Sequence, residues 1–594
     1  MDLYNFYKQR ISDIQVKESE CIKKERVLPF YRLLIIVVGL VAFYILFQIN
    51  IITAVIVLLL FLVAFAFVVR IDNQNLAKRK ELQLFKMLNE NEINYLDGVC
   101  SLDDDGSRYK NESHSYSNDL DIFGNSSLFH FINRTTLTKS SDILSDWLLS
   151  PADTQEINDR NEAVKELSEK IDWRQKIFIT GYTLKKNQLA INNLINWIKK
   201  SGKFSFSKKF ILFCAILSSI TAVVLAFSFV FSSFYILYLL LIIQYFIVLK
   251  SNKIVKHLHN EVTNNAEILE TYSAMLKQIE NEKFSSQKLN HLKDQLKSEN
   301  NFASKEIKNL SGIVSNFDIR YNVYFHFFIN LLFFWDIHQV YKLDKWKNKN
   351  VNLEQWFNSV GEFEALSSFA NLYFNNPNWC FPKIAENHFH FEAKTLGHPL
   401  IKSKDRICND LSVNGSGKIL LLSGSNMSGK STFLRSVGVN IVLAMSGSSV
   451  CASEFVFSPV RVLSSMKISD SLKDNTSTFF AELKKLELII KIVEKKEKVF
   501  LLLDEILRGT NSTDRNIGSK ALIKQLIKNN TVGILATHDL SLTVMSKEFP
   551  ENIENYNFNI KIENDDLYFD YLLNKGVCTS LNASILMKKM GINI

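Results

Sequence analysis

Gly424-Ser425-Asn426-Met427-Ser428-Gly429-Lys430-Ser431-Thr432 sets two glycines, a lysine and hydroxyl residues in the spacing GxxxxGK[ST]. The apolar run Ile419–Ser423 precedes it and a helix-spaced segment, Thr432–Met445, follows. A strand, a glycine loop and a helix in that order are the context in which this spacing binds phosphate. The glycines let backbone N–H groups turn inward, and the helix start adds a favourable dipole for an anion. Lys430 is placed to reach β- and γ-phosphates, and the Ser431 hydroxyl to bind Mg²⁺. A nearby spelling, Gly415-Ser416-Gly417-Lys418, lacks the first glycine and is followed by Ile419, so it is rejected.

Val499-Phe500-Leu501-Leu502-Leu503-Asp504-Glu505 is an apolar strand ending in two acids. A buried strand that delivers carboxylates at its C-terminal end suits a metal and a water beside phosphates. Asp504 is the expected metal ligand, and Glu505 the group that orients or deprotonates the attacking water. Thr537-His538 ends a third run, Val532–Thr537, where a histidine can donate to a γ-phosphate. The expected cofactors are ATP and Mg²⁺, with Glu505, His538 and Lys430 catalytic and Ser431 and Asp504 on the metal.

The elements that must position these groups follow from periodicity. After about residue 390, short apolar runs alternate with helical segments such as Asp514–Asn529, which predicts an α/β domain with a largely parallel sheet. Upstream the pattern is helical. Ser126–Leu149 and Ile157–Ile171 read as helices broken at Pro151, and Ser101–Asn118 as a loop. Leu258, Val262, Leu269, Tyr272, Leu276 and Ile279 form a one-sided apolar stripe interrupted at Asn265, better suited to packing on a neighbouring helix than to a coiled-coil lever. Tyr321–Trp335 reads as a buried or interfacial helix, too short to span a bilayer.

Two longer runs carry no charge. One lies between Arg32 and Arg70, the other between Lys209 and Lys250. Each is about twice the roughly 20 residues of a spanning helix. Breaks at Gln48-Ile49-Asn50 and Ser232-Ser233 make them two transmembrane hairpins. Lysines and arginines flank both hairpins and are absent from the turns, so the flanks are expected in the cytoplasm. The predicted organisation is a cytoplasmic tail over 1–31, hairpins over 32–70 and 209–250, a helical core over 71–208, a helical lever region over 251–390 and a nucleotide-binding domain over 391–594. The expected location is the inner or cytoplasmic membrane, multi-pass, with the lipid bilayer as a partner.

Seven cysteines, with no CxxC pair, fit reduced thiols and neither a disulfide framework nor a zinc site. The net charge of +9 is diffuse and gives weak support for nucleic-acid binding.

The sequence resembles the MutS mismatch-repair ATPases. GSNMSGKSTFLRSVG is similar to that family's phosphate loop, Leu503–Thr510 with Ser512-Thr513-Asp514 to its second motif, and Ala536-Thr537-His538 to its switch. Gly397-His398-Pro399 is similar to the segment leading into the nucleotide site, which makes His398 a nucleotide contact by resemblance. Ser477-Thr478-Phe479 with Glu482 is similar to the segment that reaches a partner's ATP, so Ser477 is the implied trans contact and a homodimer the implied assembly. Weaker likenesses lie at Asn133-Arg134-Thr135-Thr136, Trp147-Leu148-Leu149, Arg160 and Glu364-Ala365-Leu366 with Ser368. The resemblance implies a P-loop ATPase domain of the ABC/MutS type joined to an all-α lever and core domain, here carrying the two transmembrane hairpins.

The family's mismatch reader has a Phe-x-Glu wedge in an N-terminal domain. Here a charged tail and a hairpin stand in that place, and Phe480-Ala481-Glu482 lies inside the ATPase part. The sequence therefore predicts ATP hydrolysis, with DNA an open, sequence-indifferent client. Half of an ABC-type transporter and a mechanochemical membrane ATPase with another client are the alternatives. No LSGGQ-like run between Lys430 and Asp504 supports the transporter.

Overall fold

Strands buried on both faces read as continuous apolar runs, and Ile419–Ser423, Val499–Asp504 and Val532–Thr537 are buried along their whole length. The computed structural model describes residues 2–99, 104–182, 206–262, 265–297, 301–349, 352–385, 389–425, 428–466, 478–563 and 566–578. It forms two units, Met1–Ile132 with Leu372–Ile594, and Asn133–Asn371.

In the first unit the described strands are β1 (Lys383–Ile384), β2 (His390–Leu396), β3 (Asn409–Asn414), β4 (Ile419–Ser423), β5 (Glu454–Phe457), β6 (Arg461–Ser465), β7 (Val499–Asp504), β8 (Val532–Thr537), β9 (Ile553–Glu563) and β10 (Asp566–Lys575). They make two sheets, ordered β1-β5-β2-β3 and β10-β9-β4-β8-β7-β6. The larger is parallel from β9 to β6, with β10 antiparallel at its edge. Helices Lys430–Met445, Thr478–Glu494 and Ser512–Lys528 connect its strands. Leu486, Ile489, Leu522 and Ile523 from two of them pack with Leu421, Leu501 and Leu535 of the sheet. Removing one such leucine side chain would cost about 2–5 kcal/mol.

The same unit holds the first hairpin. Helices Leu3–Phe47 and Ile51–Leu96 meet at the turn expected around Asn50, whose side chain caps the second by accepting from Ile52 N at 2.8 Å. The charged tail is not a separate helix: it runs unbroken through Pro29 into the apolar segment. Below the uncharged run the two arms are joined by polar pairs, Arg32 with Asp72, Arg79 with Glu25, and Asn75 Nδ2 donating to Cys21 O at 2.9 Å. At the base, Tyr7 donates to Asn375 Oδ1 (2.7 Å), and Asn375 Nδ2 donates to Glu92 Oε2 (2.8 Å).

The second unit is helical. Ser126–Leu149, which spans the boundary between the units, departs from the expected continuous helix. Leu128–Ile132 and Thr138–Leu149 are helical, but the residues between are irregular, with Leu137 extended as the cap of the second helix. The Asn133 side chain turns back on Thr135 N (2.9 Å), and two β-branched threonines follow, residues that lose side-chain freedom in a helix. Glu364 then takes the hydroxyl of Thr136 (2.5 Å) and the N–H of Leu137 (3.4 Å). Burial pushes the Glu364 carboxyl up to about 7, against those hydrogen bonds.

The apolar stripe is buried throughout, and the helix interrupts at the buried Asn265. Helix Ala266–Asn281 packs on helix Ala303–Asp318, with Ser273 Oγ donating to Ser304 O and Ser311 Oγ to Ala266 O, both at 2.8 Å. The second hairpin is Lys208–Phe231 and Tyr235–Val262, turning at Ser232. Among the described residues, four helices are long and apolar enough to cross a membrane.

Candidate functional site

β4, β8 and β7 are adjacent and parallel, with Ser423 beside Thr537 and Asp504 beside Ala536. The loop after β4, the histidine after β8 and the acids ending β7 therefore meet at one end of the sheet. Open α/β sheets bind ligands at the carboxyl ends of their strands.

Lys430 is buried at the start of its helix. Its ammonium donates to Gly424 O (2.9 Å) and Ser425 O (2.7 Å) and lies 3.4 Å from His538 Nε2. Burial lowers its pKa, while the nearby Glu505 and Asp504 carboxylates act to raise it. Ser431 Oγ donates to Asp504 Oδ2 at 2.6 Å. Glu505 pairs with His538 through one oxygen and with Arg508 Nε through the other, at 3.0 Å. The His538 hydrogen bond, opposed by burial, holds the Glu505 carboxyl below its usual range. Glu505 and Leu507 both have left-handed backbones, φ 51° and 59°, which cost non-glycine residues about 1–3 kcal/mol each.

A cavity of about 390 Å³ opens beside the loop, lined among others by Ser428–Thr432, Glu505 and His538. That volume falls in the range of about 300–1,000 Å³ of small-molecule sites. His398 lies in the same wall, lowered to about 4 by burial and by Arg435 and Arg406, and its Nδ1 accepts from Leu400 N at 3.3 Å. It is therefore neutral at physiological pH. Gly424 and Ser425 lie in the loop after β4, and Thr432 in the first turn of the helix that starts at Lys430; Asn426, Met427 and Ser477 lie outside the described residues.

The residues fit a nucleotide with Mg²⁺. Ser428, in the lining of the cavity, has a buried and unpartnered Oγ, a donor that a phosphate oxygen would satisfy. The Ser431 hydroxyl and the Asp504 carboxylate are hard oxygen donors of the kind that would hold Mg²⁺ alongside phosphates. A bound metal would polarise the phosphoryl oxygens; the chain itself supplies the cation, the carboxylate and the histidine around them.

Sequence reasoning missed two features. Tyr571 covers the loop: a Cβ on Gly429, at φ 99°, would meet its ring at 2.9 Å. A register shift between Phe569 and Leu573 and a positive φ of 53° set that tyrosine, and Asn409 holds both sides of the bulge. An aromatic in an alternating strand carries no sign of this. The second is Asp119, one residue past the stretch Ser101–Asn118 that reads as a loop. Its side chain is 1% exposed and accepts from Ser464 Oγ and Lys485 Nζ, both at 2.6 Å, while its carbonyl accepts from Arg435 Nε at 3.1 Å.

Glu482, on helix Thr478–Glu494, accepts the backbone N–H groups of Leu507 and of Arg508 (3.1 Å). It thereby holds the left-handed turn that aims Glu505. Leaving the buried Leu507 N–H without an acceptor costs about 1–3 kcal/mol, and the partly buried Arg508 N–H less. Glu482→Ala is expected to lower kcat for ATP by roughly 10-fold or more with KM nearly unchanged, and Glu482→Gln, which keeps one acceptor oxygen, to recover part of the loss. A fall in KM-linked affinity with kcat intact would show that Glu482 does not act through Glu505.

The parallel sheet and the strand-end cluster define a P-loop nucleotide-binding domain. Residues 420–590 match the family model described as MutS domain V. The chain is 30% identical over 255 residues to the DNA mismatch repair protein MutS of Thermotoga sp. (strain RQ2), covering 42% of this chain and 31% of that protein. Against the protein of the same name from Fusobacterium nucleatum it is 32% identical over 216 residues, 35% of this chain and 23% of that one. The chain thus spans about a third or less of these relatives, and over its C-terminal part it is MutS-related.

Proposed function

We propose that this protein is a membrane-anchored, MutS-related ATPase that binds ATP with Mg²⁺, hydrolyses it as a homodimer and passes the motion to its helical region. The observation that carries the reading is the strand-end cluster: Ser431 on Asp504 at 2.6 Å, Glu505 on His538, and Lys430 between them. The match to MutS domain V favours it over half a transporter. The uncharged hairpins and their basic flanks support anchoring with the ATPase in the cytoplasm. Ser477 remains the candidate trans contact, and DNA a candidate client held by backbone charge.

A mismatch reader kinks its duplex, typically with an apolar wedge, and unstacking costs a few kcal/mol per step. The family likeness here covers domain V, residues 420–590. The test is ATPase rate and binding in detergent with no DNA and with matched, mismatched and branched duplexes. Mg²⁺-dependent hydrolysis is expected, with DNA binding that falls steeply with salt. Absence of hydrolysis would sink the ATPase reading. A tenfold preference for the mismatch, about 1.4 kcal/mol, would make the protein a reader after all.

A further inference from the structure

Helix Val323–Phe333 is built inside out. Tyr324 is 83% exposed, and Val323, Phe325, Phe327, Phe328 and Phe333 are exposed with it. Its buried residue is polar, Asn330. Asn330 Nδ2 donates to Asp336 Oδ2 (3.1 Å), Asp336 N donates to Asn330 Oδ1 (3.1 Å), and His326 Nε2 lies 2.9 Å from the same carboxylate oxygen. A helix on a soluble surface turns the other way, apolar face inward. The second hairpin shows the same inversion: Gln244 Nε2 donates to Thr221 Oγ1 at 2.8 Å, both buried, while Phe213, Ile216, Leu239 and Phe246 face outward.

Two observations say what covers the aromatic face. The first is continuity. After the helix the chain turns at Phe334, φ 48°, and Phe334 and Ile337 pack with Cys214 and Leu217 of one hairpin arm and with Leu240 and Ile247 of the other. Cys214 and Leu217 lie five and eight residues past Lys209, about 8–12 Å along the helix axis. The turn thus lies beside the apolar band of the hairpin, not beyond its basic end. The second is charge. Arg320, at the polar start of the helix, donates to Asn252 Oδ1 at 3.0 Å, next to Lys250 and Lys253. The helix start and the basic end of the hairpin coincide, which suits anionic headgroups. Eleven helical residues span about 16 Å, half of a hydrocarbon core of about 30 Å.

We infer that Val323–Phe333 is a non-spanning membrane element, its aromatic face against the acyl chains of the anionic leaflet on the Lys209 and Lys250 side. The inference rests on the reading that the second hairpin crosses a bilayer.

The test places a nitroxide amino acid singly at Tyr324, Phe328, Ile220 and Tyr568 of the full chain. The protein sits in vesicles of phosphatidylcholine with a minor share of phosphatidylglycerol. Accessibility to oxygen and to a water-soluble nickel chelate is read by power saturation. Tyr324 and Phe328 are expected to favour oxygen, at a shallower depth than Ile220, with Tyr568 favouring nickel. Oxygen at Ile220 but nickel at Tyr324 and Phe328 overturns this inference and leaves the spans standing. Nickel at all four sites overturns the spanning reading and the inference with it. Protection of Tyr324 and Phe328 from both reagents means protein covers the face, which also overturns it; dipolar broadening would then identify a second copy.

Discussion

Glu505→Gln is expected to cut ATP turnover by two to four orders of magnitude, the range of a lost general base, while ATP still binds. Glu505 follows the Asp504 that Ser431 contacts, and its two oxygens are held apart by His538 and by Arg508 at 3.0 Å. The glutamine keeps the size of the side chain and can still accept from Arg508. It cannot take a proton from water. The wild-type pH profile carries a second check. The His538 hydrogen bond, outweighing burial, lowers the Glu505 pKa. The carboxylate is therefore ionised above the ordinary value of about 4.3, and its protonation reduces the rate only below that. No loss of rate between pH 8 and 6 should trace to this group. Single-turnover hydrolysis together with nucleotide retention on a filter would measure both effects. Turnover in Glu505→Gln within threefold of the wild type would remove the residue from the chemistry.

The phosphate loop was legible because the strand, glycines and helix that build it are consecutive in the chain. A five-residue apolar strand, β4, runs straight into the glycines, and the helix that follows starts at Lys430, two residues ahead of the periodicity. The hairpins were legible for a related reason, since an uncharged run of that length has few alternatives. What escaped depends on partners far away in sequence. The non-helical Asn133–Thr136 segment is held by Glu364, 228 residues from Thr136. The helical reading of that stretch weighed apolar spacing alone, and the Thr136–Glu364 hydrogen bond is invisible to spacing. Tyr571 reaches the loop only because Asn409, 162 residues away, holds the bulge. Glu482 could be matched by its spelling, yet the two N–H groups that it accepts belong to a turn beyond β7. In the Val323–Phe333 helix the apolar character was plain, while the inversion depends on Asp336, past the turn at Phe334, drawing Asn330 and His326 inward.

Lys430→Ala should act on the other side of the mechanism and lose binding itself. The ammonium is buried among Gly424 O, Ser425 O and His538, with the Glu505 and Asp504 carboxylates close enough to raise its pKa against the effect of burial. A hydrogen bond to a charged group is worth about 1.5–3 kcal/mol. At about 1.4 kcal/mol per decade, losing the ammonium's contact to the phosphates is a loss of roughly 10-fold to 10²-fold or more in ATP affinity. Asp504 and Glu505 would then face the incoming phosphates with Arg508 but not Lys430 beside them, so the loss should be larger for ATP than for ADP, which lacks the γ-phosphate. Lys430→Arg should not restore it: a planar guanidinium cannot sit as a point charge between two loop carbonyls. Equilibrium binding of a fluorescent ATP analogue to the full chain in detergent, with circular dichroism to show an unchanged fold, measures the effect. A Kd within fivefold of the wild type would mean that Lys430 does not hold the phosphates. The pairing of the two variants is the sharper discriminator. Glu505→Gln should bind and not turn over, and Lys430→Ala should fail to bind; the reverse pattern would require the roles at the ends of β4 and β7 to be exchanged.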